Sequence, residues 1–188
     1  MKFNIEDKYP LTIFDDSEIL YSWQTIKVGF DLKRITLNEI QNYAIAFLKK
    51  HPNVINEYIS EVIIGIKDYE MDSYLKNIIL SLDDDIPEKN KQSWNLEWRK
   101  WRYCILNAMF HKINDKDKLL NSVAGLYADF GYPKDMEGFI NYMPAKEPLI
   151  TPQEGQQRLL KNVEEFLLNE KIKIDHNDGN LPPVYDLD

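Results

Sequence analysis

Apolar residues recur at intervals of three and four along most of this chain, and this spacing constrains its fold more than any other feature. Such a period places apolar side chains on one face of an α-helix, and that face must pack against another element. Thr36 to Glu39 match the capping-box pattern, which predicts the start of one such helix, and Pro52 follows its predicted end. The sequence therefore predicts an all-α fold, a compact multi-helix bundle in which two consecutive hairpins suggest stacking.

Turn and capping residues divide the chain into helices. The predicted helices cover residues 17–29, 36–51, 53–66, 68–82, 88–112, 115–130, 134–143 and a last segment that begins at Thr151. The first dozen residues alternate loosely between apolar and polar, which favours an extended N-terminal arm. A chain of 188 residues suits one well-buried core, so we expect a single helical domain over 1–174. Residues 175–188 carry four Asp and no Lys or Arg, which is typical of a flexible acidic tail.

The charge balance narrows the classes of partner. With 31 acidic and 23 basic residues, the net charge is −8, which disfavours nucleic acid and favours a basic protein as the partner. The single Cys104 excludes an intramolecular disulfide and a cysteine zinc cluster. The sequence shows no signal-peptide pattern and no apolar run long enough for a membrane span, so the expected location is cytoplasmic and no membrane partner is expected.

A stripe of tryptophans marks the longest predicted helix. Trp94, Trp98 and Trp101 recur at helical spacing beside basic residues. One interpretation is a core seam with a solvated basic flank, because packing requires such a stripe. The other is a partner-binding surface that includes Trp94 and Trp98. The net charge opposes a third, nucleic acid stacked on these rings.

Two acidic clusters flank the predicted helix over 68–82, one at each end. They are the candidate contacts for a basic partner, and they comprise Asp68, Glu70, Asp72, Asp83, Asp84 and Asp85. The first cluster has the alternating acids of a calcium loop but lacks its glycine and its closing glutamate. No nucleophile, phosphate-loop or zinc motif occurs either, so the sequence predicts no catalytic residue, metal or cofactor.

The run from Tyr127 to Pro144 is the least ordinary stretch of the chain. Gly131 ends one helix, Pro133 forces an extended residue before the next, and five aromatic residues crowd into sixteen positions. This run, together with the region of Trp23 and Gly29, resembles a bacterial family catalogued only as a domain of unknown function. The resemblance implies a small helical protein without assigned catalytic residues. Small acidic bacterial proteins of this sort are often encoded beside polymorphic toxins as immunity proteins.

The sequence is compatible with three classes of function. The first is a non-enzymatic protein-binding domain, an immunity protein that neutralises a toxin. The alternative is a small α-helical enzyme with a carboxylate-based or metal-assisted site. The third is a helical scaffold that binds a second copy of itself. The identity of the neighbouring gene would separate the first from the other two, and a pocket with converging carboxylates would favour the second.

Overall fold

The computed structural model describes residues 8–89, 91–144 and 151–176. Within these ranges the chain forms eight α-helices and one 3-10 helix and contains no strand, which confirms the all-α prediction. The elements are α1 (Thr12–Asp16), α2 (Trp23–Asp31), α3 (Leu37–Lys50), α4 (Glu57–Ile64), α5 (Asp68–Ser81), α6 (Gln92–Lys112), α7 (Lys116–Asp129), the 3-10 helix (Lys134–Phe139) and α8 (Pro152–Asp175).

The chain divides into two compact units, whose boundary falls within α6 between Trp101 and Arg102. The first unit contains α1 to α5 and the N-terminal part of α6, and the second contains the described residues from Arg102 onward. That residues 1–174 fold as one domain stays a prediction, because a division into compact units does not measure folding cooperativity.

In the first unit, α2 lies close to α6 and packs against α5. The indole of Trp101 is fully buried, and its Nε1 donates a hydrogen bond of 2.8 Å to the carbonyl oxygen of Thr25. Gly29 lies where that ring approaches the α2 backbone. On the α5 side, the buried Lys27 ammonium pairs with Asp31 at 2.5 Å and with Asp72 at 2.9 Å. An apolar seam and an ion pair therefore fix α2 on two sides.

The N-terminal region differs from the prediction. Residues 1–7 of the predicted arm lie outside the described residues, but Thr12–Asp16 is helical rather than extended. Ser17 ends α1 instead of opening α2, because the chain turns through Glu18 at φ +55°. Helix α2 begins five residues later, where the N–H of Ser22 donates to Thr25 Oγ1 at 2.9 Å.

In the second unit, the 3-10 helix and α8 are joined around one buried cation. Arg102 donates two hydrogen bonds to Asp135, at 2.7 and 2.8 Å, and one of 2.6 Å to Glu170. Its guanidinium also lies 4.9 Å from the centre of the Phe166 ring. The predicted helix over 134–143 is only the 3-10 turn Lys134–Phe139, because Ile140 adopts an extended conformation.

The C-terminal boundary also shifts slightly. Helix α8 continues to Asp175, one residue into the predicted tail, and His176 Nδ1 lies 2.7 Å from the carbonyl oxygen of Ile172. The rest of that tail, residues 177–188, lies outside the described residues.

Replacing Lys33 with glycine should stabilise the protein. Lys33 follows α2 at φ +57°, and its N–H and that of Arg34 close the helix onto Phe30 and Gly29. A left-handed conformation costs an L-residue about 1–2 kcal/mol that glycine avoids. We expect urea denaturation to show a gain of about 1 kcal/mol. Ala46→Gly, at an exposed interior position of α3, is the control and should lose about 1 kcal/mol. A loss for Lys33→Gly would contradict the explanation from backbone strain.

Candidate protein-binding surface

Helices α4 and α5 form an antiparallel hairpin joined by residues 65–67. At its open end, the side chain of Asn56 accepts a hydrogen bond from the N–H of Ile59, at 3.1 Å, and so caps α4. Its amide nitrogen donates to Ser81 Oγ at 2.5 Å, which holds the start of α4 to the end of α5. At the closed end, Gly65 turns the chain at φ +116°. The two helices therefore present their outer faces side by side.

Large apolar side chains are exposed at both ends of this hairpin. Ile64 and Tyr69, at the closed end, are 84% and 76% exposed. Ile55 and Leu80, at the open end, are 99% and 55% exposed. A single exposed apolar residue is ordinary, but a concentration beside charged residues is typical of interaction surfaces. The hairpin is therefore a candidate for protein recognition.

Two tyrosines and two glutamates form a further group on the hairpin, which we call the hairpin patch: Tyr58, Glu61, Glu70 and Tyr74. The Tyr74 hydroxyl donates a hydrogen bond to Glu61, and the rings of Tyr58 and Tyr74 meet edge to face with centres 5.9 Å apart. The hydrogen bond to Glu61 and the nearby charge of Glu70 raise the pKa of Tyr74 to about 12. The patch therefore combines negative charge with aromatic surface that water can reach.

The first predicted acidic cluster divides in the structure. Asp68 is exposed in the first turn of α5 and, among the described residues, forms no ion pair. Glu70 accepts a hydrogen bond of 3.3 Å from the N–H of Lys67 and belongs to the hairpin patch. Asp72 is instead neutralised by Lys27 and Lys76, and although partial burial opposes the shift, their hydrogen bonds lower its pKa. Asp68 and Glu70 thus remain candidates for partner contact, whereas Asp72 has a structural role.

The second predicted cluster organises the loop after α5. Asp83 takes the left-handed position at φ +56°, and its N–H and that of Asp84 bond to Leu80 and Ile79 to end the helix. Asp84 Oδ1 accepts from the N–H of Asp85 and from the side chain of Gln24, both at 2.9 Å. Asp85 pairs with Lys91 at 3.0 Å. All three are exposed, but each also shapes this loop, so replacing them would change structure together with charge.

The tryptophan stripe belongs to the core, so Trp94 and Trp98 are not surface contacts. The two side chains are 2% and 0% exposed, and neither can contact a partner without unfolding. The expected solvated basic flank is also wrong, because Arg99 and Arg102 are buried. The helical spacing of these tryptophans therefore indicates core packing, and the neighbouring arginines are buried with them.

Sequence reasoning missed Tyr58, Glu61 and Tyr74. A signal was present, because Glu57 and Glu61 stand one turn apart, as do Glu70 and Tyr74. Spacing within one helix does not say which faces of two helices adjoin, so only the tertiary structure unites these residues. The carboxylates of the patch are visible in the sequence, but nothing there shows that Tyr58 and Tyr74 lie beside them.

The second unit contains a concave site, which lies between α7, the 3-10 helix and α8. It is an open cleft of about 950 Å³. Its lining combines the apolar residues Leu120, Ile140 and Leu159 with charged residues of both signs and with amide side chains. Asn162 donates to the carbonyl oxygen of Gly138 at 2.7 Å, which fixes α8 to the 3-10 helix along one edge.

In the part of the chain that the structure describes, no three His, Cys, Asp or Glu side chains are grouped so that they could hold a metal ion. Nor does any helix there have the length and apolar character to cross a membrane. Cys104, the single cysteine of the sequence, is buried.

Comparison with known proteins identifies the family. The model of a family described as an uncharacterized protein conserved in bacteria, DUF2247, matches residues 11–171. No curated protein and no solved structure gave a match. The matched region extends from α1 into α8, so it includes the whole α4–α5 hairpin, the cleft and the residues that bury Arg102. Since the match covers most of its length, this chain belongs to that bacterial family.

Proposed function

We propose that this chain is a non-enzymatic protein-binding domain, and that it acts as an immunity protein that neutralises a basic toxin by covering the toxin's active surface. The observation that carries the proposal is the exposure of Ile64 and Tyr69 beside the carboxylates of Asp68 and Glu70. Exposed apolar and aromatic groups supply binding energy once a partner excludes water, and the adjoining acids select a basic surface.

The charge of the hairpin supports the same partner. Residues 57–81 contain five carboxylates and two lysines, and one of those lysines, Lys76, already pairs with Asp72. The remaining negative charge is exposed, where it would accelerate encounter with a cationic protein. The chain as a whole, at −8, adds to this field.

The protein encoded by the neighbouring reading frame is the partner to test. We expect it to bind in surface plasmon resonance, with an association rate that falls about tenfold or more as salt shortens the Debye length below about 10 Å. Replacing Glu61, Asp68 and Glu70 with Gln, Asn and Gln should slow association several-fold and change dissociation less. These replacements keep the side-chain shapes and leave one acceptor oxygen on each residue.

A matched control removes the same charge from the second unit, through Glu137→Gln, Glu164→Gln and Glu165→Gln. It should leave association within about twofold of the unmodified chain at the same ionic strength. Growth provides the functional readout, because co-expression of this chain should rescue cells from the neighbour-encoded protein. If that protein neither binds nor harms cells, the immunity proposal is wrong.

The cleft supports the alternative function, a carboxylate-based enzyme. Asp117, Glu137 and Glu165 line its 950 Å³ volume, and clefts of this size accommodate small molecules. Suppose that the protein converts a substrate, and that Glu137→Gln and Glu165→Gln abolish this activity without changing the melting temperature. The enzyme function would then replace the binding proposal.

A further inference from the structure

The hairpin patch offers two kinds of contact to one ligand group. Glu61 and Glu70 provide carboxylate oxygens, and the edge-to-face pair of Tyr58 and Tyr74 provides aromatic surface. The hydrogen bond from Tyr74 holds the Glu61 carboxylate beside the Tyr74 ring and leaves lone pairs of the carboxylate for a second donor. Glu61 is exposed, and the two rings are partly exposed.

We infer that the hairpin patch is a docking site for an arginine side chain of a basic partner protein. The guanidinium would stack on the Tyr74 ring and donate hydrogen bonds to Glu61 and Glu70. This inference rests on the proposed function and names the partner chemistry that the α4–α5 hairpin selects.

Arginine suits this patch better than lysine for two physical reasons. Its planar guanidinium is weakly hydrated, so it stacks on an aromatic face at a smaller desolvation cost than an ammonium group. Its fixed fork of N–H donors can also serve two carboxylates at once, whereas lysine acts as a single point charge.

The core of this chain already contains an arginine that contacts one aromatic ring and two carboxylates. There, the Arg102 guanidinium lies 4.9 Å from the Phe166 ring centre while it donates to Asp135 and Glu170. The hairpin patch offers equivalent groups, an aromatic ring and two carboxylates, on an exposed face. Ile64, one turn after Glu61 on α4, would contact an apolar residue next to the arginine.

The test uses a blocked peptide, acetyl-Gly-Arg-Leu-Arg-Gly-amide, and its lysine counterpart, titrated into the full-length ¹⁵N-labelled chain at low salt. We expect amide shift changes concentrated within residues 57–76, and arginine binding that is about two- to fivefold tighter than lysine binding. Equal affinity for the two peptides, or shift changes centred elsewhere, would overturn the inference.

Variants separate the ring from the carboxylates. Glu61→Gln with Glu70→Gln should weaken arginine binding about tenfold, because both charge-assisted acceptors are lost. Tyr74→Phe, which keeps the ring, should stay within about threefold, and Tyr74→Ala should lose the preference for arginine over lysine. Glu164→Gln on α8 is the charge control. Thermal melts establish that each variant is folded. If Tyr74→Ala unfolds, the comparison of the arginine and lysine peptides on the unmodified chain still decides the test.

Different experimental results would exclude the arginine site and the immunity function. If the neighbour-encoded protein binds, and replacing its surface arginines with lysines changes nothing, the arginine site is wrong while protein binding stands. If the peptide binds at the patch but the neighbour-encoded protein does not, the immunity proposal fails and the arginine site stands.

Discussion

Gly29→Ala is expected to destabilise the protein severely. A methyl group at position 29 would lie within 2.8 Å of three atoms of the Trp101 indole. The ring has no room to withdraw, because it is fully buried, held to Thr25 by its N–H and in edge contact with Phe14. Overpacking of a core costs about 1–3 kcal/mol, and this rigid contact places the loss at or above about 3 kcal/mol. For a chain of this size, the melting temperature should fall by about 10 °C.

The control for this change is another helical glycine. Gly125 lies in α7, and an added Cβ there would meet no atom within 4 Å. Gly125→Ala should therefore stabilise the protein, by up to about 1 kcal/mol, through helix propensity alone. Urea denaturation followed by circular dichroism measures both variants. If Gly29→Ala melts as the unmodified chain does, α2 and α6 are not in the close contact described above.

Trp101→Phe tests the origin of the loss. The smaller ring removes the indole atoms that the new methyl group would strike, so the double variant should lose less stability than the sum of the two single variants. Additive losses would mean that Gly29→Ala acts through the α2 backbone rather than through the indole.

The sequence predicts correctly the helix starts that are capped by side chains nearby in the chain. Thr36 is the predicted N-cap of α3, since its hydroxyl accepts from the N–H of Glu39 at 3.2 Å. The Glu39 carboxylate does not close the predicted box, because it accepts from the N–H of Leu11 at 3.1 Å. Asp115 caps α7, and Thr151 opens α8 in the same way. In each case the side chain that forms the cap lies within three residues of the group that it satisfies, so a single sequence is sufficient to locate it.

A predicted helix boundary is wrong where one residue type can either begin or end a helix. The sequence predicts that Ser17 starts a helix, because serine is a common N-cap, but the left-handed turn at Glu18 makes it the end of α1. Such a turn is normally marked by glycine, and here a glutamate occupies it. Nothing in the sequence at this point distinguishes the two readings.

The candidate surface was harder to predict than the helices. The sequence places Asp72 with the other exposed acids, yet Lys27 neutralises it from a distant position in the chain. It also gives Trp98 and Tyr74 the same aromatic character, although one is in the core and the other meets water. Ion pairs and burial between segments far apart in sequence depend on tertiary packing, which periodicity does not encode.

Removing the Arg102 side chain is expected to have the second large effect. Arg102→Met keeps most of the buried volume but takes the guanidinium away from Glu170, whose side chain is 1% exposed. The ion pair of Glu170 with the half-exposed Lys173 is longer, at 4.0 Å, and replaces that partner poorly. A buried carboxylate that loses its ion-pair partner costs about 3–5 kcal/mol, because desolvation is no longer offset. Asp135 contributes less to the loss, since it is 36% exposed and water can solvate it. The melting temperature should fall by about 10 °C.

The double variant Arg102→Met with Glu170→Leu distinguishes charge from packing. It removes the stranded carboxylate, and replacing a buried ion pair with apolar groups is often neutral or stabilising, so it should recover most of the loss. Lys161→Met breaks the exposed pair with Glu165, which is 3.5 Å long, and should change stability by less than about 1 kcal/mol. If the double variant is no more stable than Arg102→Met, then the stacking of Arg102 on Phe166, rather than its charge, holds the 3-10 helix and α8 together. That outcome would place the fold of the second unit on aromatic contacts and leave Asp135 and Glu170 as secondary partners.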